Sequence, residues 1–234
     1  MFLCPSRSRP HNLQRLIDAY DKTHAYVKMM IRLDENDPRL NDYLKLVFPD
    51  TWITHIGPQV KMGGAMREAF KEFPDEVFYS YIGDDTIPRT EYWDMELAYT
   101  AGDWEIAYPN DLLQGEKSAT HPVIGGKLLR AVGYWTLPCL THLYTDTVWD
   151  HIGKELDLLR YREDVILEHC HWSNGKPPRV EIYIREFNGK NYHYEDQACF
   201  NHWKQNLDVS TLRKTIAESV KASSKSCSTS EITI

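Results

Sequence analysis

Residues 77–88 read VFYSYIGDDTIP. β-Branched and aromatic residues in a run of this length predict a buried strand, and Gly83, two acids and Pro88 end it abruptly. Asp84 and Asp85 then stand at the C-terminal end of that strand, the edge of an open α/β sheet at which ligands bind. Adjacent carboxylates aimed into a crevice repel each other unless a cation lies between them. A hard divalent ion there keeps coordination sites for phosphate oxygens. The pair is therefore read as a metal and diphosphate site. A solvated turn or a helix cap would use the same two residues, so the choice rests on the remainder of the chain.

Toward the N-terminus, residues 1–6 predict a strand and Ser6-Arg7-Ser8-Arg9-Pro10 a polar turn. A helix follows in which Leu13, Leu16, Ile17 and Tyr20 form one buried stripe. A second strand over 26–33 runs into Asp34-Glu35-Asn36-Asp37-Pro38. Strand, helix, strand predicts a parallel pair, which sets Asp34 at the same sheet edge as Ser6. A short helix over 41–47 and a strand over 51–56 lead to the loop 57–64, where Gly63 and Gly64 allow a ligand close to the backbone. The next helix buries Met62, Ala65, Met66, Ala69 and Phe70. Lys61 and Arg67 beside it are either partners for an anionic ligand or solvated surface charges.

Toward the C-terminus, residues 90–100 have a helical pattern with Asp94 and Glu96 on the exposed side, 104–108 predict a strand and 110–121 a loop. Gly125-Gly126 precedes a helix, so the pair either offers N–H groups to an anion or makes a tight entry turn. Asp146, between Thr145 and Thr147, opens a helix that reaches Leu156; on local grounds it reads as an N-cap. The strand over 161–172 ends in His169-Cys170-His171, and residues two apart on a strand share a face. No set of cysteines accompanies them at zinc spacing, so one imidazole completing an oxygen-rich manganese site is the better match. Beyond lie an alternating stretch at 180–184, an aromatic and polar patch at 192–196, and a helix from Ser210 with Leu212, Ile216 and Val220. The Ser-rich terminus after it is expected to be disordered.

At 234 residues the chain can bury one sizeable core, and no Gly/Ser or Pro-rich linker divides it. A single domain over 1–205 is expected, followed by a C-terminal helix and tail over 206–234. The net charge of −7 argues against broad electrostatic binding of nucleic acid. No apolar run is long enough to span a membrane, and the first residues lack the basic start and apolar segment of a secretion signal. The five scattered cysteines, without CxxC spacing, predict reduced thiols and a cytoplasmic setting.

Taken in order, FLCPSRSRP (2–10), VKMMIRLDEND (27–37), KMGGAMREAF (61–70), YIGDDTIP (81–88), the Gly125-Gly126 turn, YTDTVW (144–149) and YREDVILEHCH (161–171) are similar to nucleotide-sugar glycosyltransferases of the GT-A fold. The group most resembled is the inverting family-two enzymes, which include short stand-alone members in bacteriophages. The resemblance covers roughly residues 1–175. It implies a Rossmann-like α/β fold, a mixed, mostly parallel sheet flanked by helices. It also implies metal-dependent transfer, with Mn²⁺ or Mg²⁺, from a nucleoside-diphosphate sugar such as a UDP-sugar to an acceptor hydroxyl.

The resemblance further implies roles. Pro5, Ser6 and Arg7 meet the nucleotide, Asp34 the base or ribose, and Lys61 and Gly64 the nucleotide from the third loop. Asp84, Gly125 and Gly126 belong to the nucleotide-sugar site. Asp85 is the first choice of metal ligand, with His169 and His171 as candidates to complete it. Asp146 matches the acid that takes the acceptor proton. Gly83 and Thr86 stand where the family commonly has further acids, and Thr145-Asp146 where it commonly has Glu-Asp. A nucleotide-sugar hydrolase, a nucleotidyltransferase and a non-catalytic binding module share most of these features. A modified base in phage DNA is one acceptor suggested by analogy, to which the negative net charge lends no support.

Overall fold

The computed structural model describes residues 1–170 and 192–228. Its strands are β1 (Phe2–Ser6), β2 (Met29–Asp34), β3 (Trp52–Gly57), β4 (Phe78–Tyr81), β5 (Thr86–Pro88), β6 (Ile106–Asn110), β7 (Val123–Gly125) and β8 (Leu159–His169). Among the described residues they form one sheet in the order β3-β2-β1-β4-β7-β6-β8-β5. The pairs β3/β2, β2/β1, β1/β4 and β6/β8 are parallel, while β4/β7, β7/β6 and β8/β5 are antiparallel. This is the mixed, mostly parallel sheet that the sequence predicts.

The helices are α1 (Pro10–Lys22), α2 (Leu40–Tyr43), α3 (Lys61–Glu72), α4 (Trp93–Ala101), α5 (Gly126–Val132), α6 (Thr145–Leu156), α7 (Tyr192–Asn206) and α8 (Val209–Ser228). Strand β1 shows why they must cover both faces. Leu3 joins an apolar cluster with Ala65, Met66, Leu128, Trp149 and Phe200, from α3, α5, α6 and α7. Phe2 and Cys4, pointing the other way, join Leu13, Leu16, Trp93 and Leu97 from α1 and α4. A strand buried on both faces reads as a continuous apolar run, and the parallel strands beside it do the same.

Four local expectations change. Strand β2 begins at Met29 rather than residue 26, because the Asp94 carboxylate accepts the Tyr26 and Val27 N–H groups at 2.6 and 2.7 Å. Asp94, expected on the exposed side of its helix, is 1% exposed for that reason. Cys139 and Cys199, 60 residues apart in sequence, are joined as a disulfide, which corrects the reading of all cysteines as reduced thiols; Cys4 and Cys170 are buried and free. Docking of α7 makes that pair, so local spacing carried no sign of it. The Ser-rich stretch expected to be disordered continues α8 as helix through Ser228. The predicted alternation at 180–184 and residues 229–234 lie outside the described residues.

Candidate functional site

Strands β1, β2, β3 and β4 run parallel, so their C-terminal ends share one edge, and a cleft of about 440 Å³ opens there. Pro5 and Ser6 line it from the end of β1 and Arg7 and Arg9 from just beyond, Arg32 and Asp34 from β2, residues 59–62 after β3, Tyr81 from the end of β4, and Gly83 and Asp85 after it. Thr120, His121, His169 and residues 142–146 complete its lining.

The two adjacent acids have different environments. Asp84 is 2% exposed and turns away from the cleft, forming an ion pair with Arg9 Nη2 at 2.8 Å and accepting a hydrogen bond from Ser6 Oγ. The Tyr43 hydroxyl, 2.7 Å from Ser6 Oγ, accepts the Arg9 backbone N–H at 2.8 Å. Burial pushes the Asp84 carboxyl above its ordinary range, with Arg9 as the strongest opposing influence. Asp84 therefore anchors the turn and is not among the residues that line the cleft. Asp85 faces the cleft, with Oδ1 3.7 Å from His169 Nε2 and Oδ2 3.7 Å from Arg9 Nη1.

Backbone register brings Asp85 to His169. Strand β5 pairs antiparallel with β8 so that Thr86 lies opposite His169, and the Cys170 N–H donates to the Asp85 carbonyl at 2.8 Å. One carboxylate and one imidazole thus converge, while among the described residues no group of three or more His, Cys, Asp or Glu is gathered. That donor set fits a cation that takes its remaining ligands from phosphate oxygens and water, as Mn²⁺ and Mg²⁺ do. It does not fit a closed structural zinc site. His121 stands behind His169, ring centroids 5.1 Å apart, with Nε2 2.7 Å from Thr86 Oγ1. Burial lowers the His121 imidazole to about 4, so it is neutral at pH 7. His171 lies outside the described residues.

The loop carrying Thr120 and His121 is shaped by another buried acid. Asp111 accepts the N–H groups of Leu113, Gln114 and Gly115 at 2.9, 2.7 and 3.0 Å, and the Thr120 hydroxyl at 3.0 Å. Burial raises the Asp111 carboxyl, and these hydrogen bonds together outweigh it, leaving the group below its ordinary range. Asp111→Ala is expected to lower stability by about 2 kcal/mol, because the buried Thr120 hydroxyl and three partly buried N–H groups lose their charged acceptor. A depressed folded-state value stabilises above the unfolded carboxylate range and stops doing so as pH falls through it. The difference in melting temperature between parent and variant should accordingly persist at neutral pH and shrink below about pH 4. Thermal unfolding across that range measures both.

On the donor side, Arg7 Nη1 donates to Asp34 Oδ2 and Asn36 Oδ1, each at 2.8 Å. Lys61 lines the cleft, whereas Arg67 Nη1 donates to the Leu140 and Leu137 carbonyls at 3.0 and 3.3 Å. Tyr144 precedes α6 with φ +63°, which makes Tyr144 and not Asp146 the capping position. Asp146 lines the cleft from the first turn, its Oδ1 accepting the Thr147 N–H at 2.7 Å and hydroxyl at 3.2 Å. Burial raises the Asp146 carboxyl above its ordinary range. Ser8, Lys61, His121 and Tyr144, all in or beside the cleft, have left-handed backbones with φ between 50 and 63°. Such conformations strain a residue with a Cβ and are held in place by their surroundings.

No family model matches the chain, and no curated protein matches its sequence. Solved structures do match. A mannosyltransferase from Pyrobaculum calidifontis, PcManGT, in complex with GDP-Man and Mn²⁺, superposes with a TM-score of 0.56 at 10% identity, covering 96% of this chain and 74% of that one. Residues 1–349 of TarS from S. aureus superpose with a TM-score of 0.50 at 11% identity, covering 71% and 58%. The chain has a glycosyltransferase fold. At these identities the likeness is one of fold.

Within that glycosyltransferase fold, Pro5, Ser6, Arg7, Asp34, Lys61, Asp85, Asp146 and His169 all line the one cleft. Gly64, Gly125 and Gly126 are not among the residues that line it. The Gly64 N–H bonds to the Val60 carbonyl, and a Cβ there would lie 2.5 Å from Val60 Cβ. The Gly125 and Gly126 N–H groups bond to the Glu105 and Val77 carbonyls. A Cβ on Gly126 would stand 2.1 Å from the Glu76 carbonyl oxygen, so close packing is what requires glycine there. Arg9, Arg32, Tyr81 and His121 were missed. Only Arg9 had a usable signal, being the second arginine of SRSRP immediately ahead of a proline-started helix.

Proposed function

We propose that the chain is a metal-dependent glycosyltransferase that moves a sugar from a nucleoside-diphosphate sugar, such as a UDP-sugar, to an acceptor hydroxyl with inversion. The observation that carries this reading is the cleft itself: Asp85 and His169 converge on one wall region, arginines and a lysine flank them, and Asp146 faces the same space. The fold shared with PcManGT, which was solved with GDP-Man and Mn²⁺, supports it.

In this reading Pro5, Arg7 and Asp34 hold the base and ribose, and Arg9 and Lys61 bring positive charge to the diphosphate. Asp85 and His169 would hold Mn²⁺ or Mg²⁺, which when bound supplies Lewis-acid neutralisation of the departing diphosphate. Asp146 takes the proton of the acceptor hydroxyl, whose oxygen attacks the anomeric carbon from the face opposite the diphosphate. The bond from that carbon to the diphosphate oxygen breaks as the new glycosidic bond forms, and configuration inverts. The raised Asp146 carboxyl is a stronger base than a solvated aspartate and remains matched to its task.

A hydroxyl acceptor is all that this chemistry specifies; a modified base in phage DNA belongs to that class. Cytoplasmic residence is part of the proposal, since sugar nucleotides are made there, and it no longer draws on cysteine usage once Cys139 and Cys199 are joined. Among the described residues no helix is long and apolar enough to cross a membrane. The test is incubation with a panel of labelled nucleotide sugars and Mn²⁺, with nucleoside diphosphate and labelled products both measured. Donor-dependent release of nucleoside diphosphate, with the label moved to an acceptor and release stopped by chelator, is expected. Free sugar alone would make it a hydrolase, nucleotide joined to an acceptor a nucleotidyltransferase, and no turnover a binding module.

A further inference from the structure

The loop that delivers Asp146 to the cleft is held by a residue fifty positions farther along the chain. Asp196 in α7 is fully buried. Its Oδ1 accepts the Thr141 N–H at 2.8 Å, and its Oδ2 accepts the N–H groups of His142 at 2.8 Å and Leu143 at 2.7 Å. Three consecutive backbone donors thus end on one carboxylate, a charge-assisted arrangement stronger than neutral hydrogen bonds.

The same face of α7 grips the loop on both sides of that contact. Cys199 is bonded to Cys139, Phe200 stacks on Tyr144 at 5.4 Å, and Trp203 Nε1 donates to the Tyr134 hydroxyl at 3.1 Å. His142, Leu143 and Tyr144 line the cleft, and Tyr144 has the left-handed backbone that turns the chain into α6. Asp146 is three residues beyond the last N–H that Asp196 holds. From this geometry we infer that Asp196 is a positioning residue of the transfer reaction: it holds residues 141–143 so that Tyr144 and Asp146 face the cleft. This inference rests on the proposed role of Asp146.

The side chains on the donor wall come from β1, β2, α3 and the turn after β4. Of these, α3 meets the clamped loop, through the Gly63 N–H on the Thr141 carbonyl at 2.9 Å and Arg67 on the Leu140 carbonyl, while the nucleotide-facing ends of β1 and β2 are held independently of it. Loss of the clamp should therefore cost turnover rather than donor affinity. The experiment compares the parent with Asp196→Asn and Asp196→Ala, measuring kcat, the KM for the donor, the melting temperature, and amide hydrogen exchange. Asp196→Ala is expected to lower kcat about 100-fold, the order of loss that a misplacement of about 1 Å produces, with donor KM within about twofold. Asp196→Asn, whose remaining oxygen still accepts, should fall between. Exchange should quicken at residues 141–143, and at Gly63, whose N–H donates to the Thr141 carbonyl, in both variants and stay unchanged in β1 and β2.

A folded variant with parental kcat and parental protection at 141–143 would overturn the inference, as would a loss shared equally by kcat, donor KM and all amides. If Asp196→Ala fails to fold, Asp196→Asn decides by the same readings. If the parent transfers no sugar, the functional proposal fails by itself. Exchange then still decides the clamp, with selective loss of protection at 141–143 supporting it and unchanged protection refuting it.

Discussion

Asp146→Asn is expected to lower the rate of sugar transfer by about 10²–10⁴-fold, the usual worth of a positioned general base, while donor affinity stays at the parental value. The substitution preserves shape, and the amide oxygen can still accept the Thr147 N–H that Asp146 Oδ1 accepts at 2.7 Å. What is removed is the ability to take a proton. A pH profile makes the assignment sharper. Because burial raises the Asp146 carboxyl, the parental rate should climb with pH through a value above the ordinary carboxylate range and then level off. That acidic limb should vanish in the variant. Stopped or discontinuous assays of nucleoside diphosphate release, with donor binding followed by calorimetry, give both quantities. A variant that transfers sugar at the parental rate would remove Asp146 from the reaction.

Substitutions at the adjacent acids should separate two kinds of damage. Asp85→Ala removes one of two converging donors, so Mn²⁺ affinity measured by calorimetry or electron paramagnetic resonance should drop at least tenfold, and turnover should fall with it. His169→Ala should act in the same direction. Asp84→Ala instead leaves the Arg9 guanidinium without the carboxylate that it meets at 2.8 Å in a buried setting. Breaking such a pair typically costs about 3–5 kcal/mol, so a lower melting temperature is the expected first sign. The contrast is the informative part: Asp85→Ala should remain folded and lose metal, whereas Asp84→Ala should lose stability. The reverse outcome would exchange the roles assigned to the two residues.

Much of this architecture is legible in the sequence because its parallel strands are buried on both faces and appear as apolar runs that end in polar turns. Strand, helix, strand order places Asp34 at the same sheet edge as Ser6, since parallel strands put their C-terminal ends together, and the abrupt end of the apolar run at Gly83 places Asp85 at the end of its own strand. Contacts that depend on docking of distant elements left no local trace. The buried Asp94 holding the start of β2, the Cys139–Cys199 bond and the Asp196 clamp each join residues at least 53 positions apart. Glycine misled for a related reason. Gly125-Gly126 looks alike whether a phosphate or another stretch of backbone approaches, and here the Asp103 carbonyl comes close to Gly125 and the carbonyls of Glu76 and Val77 to Gly126.

The left-handed residues around the cleft bear on any attempt to make this protein hardier. Ser8, Lys61, His121 and Tyr144 sit where glycine or asparagine would rest more comfortably, and relaxing each position would release on the order of 1 kcal/mol. A screen for thermal resistance would reward such replacements early. Lys61, His121 and Tyr144 also form part of the cleft wall, so a hardier variant obtained there would have lost the side chain that the strained backbone was presenting. Improvement is better sought on the far ends of the strands, where no ligand-facing side chain is at stake.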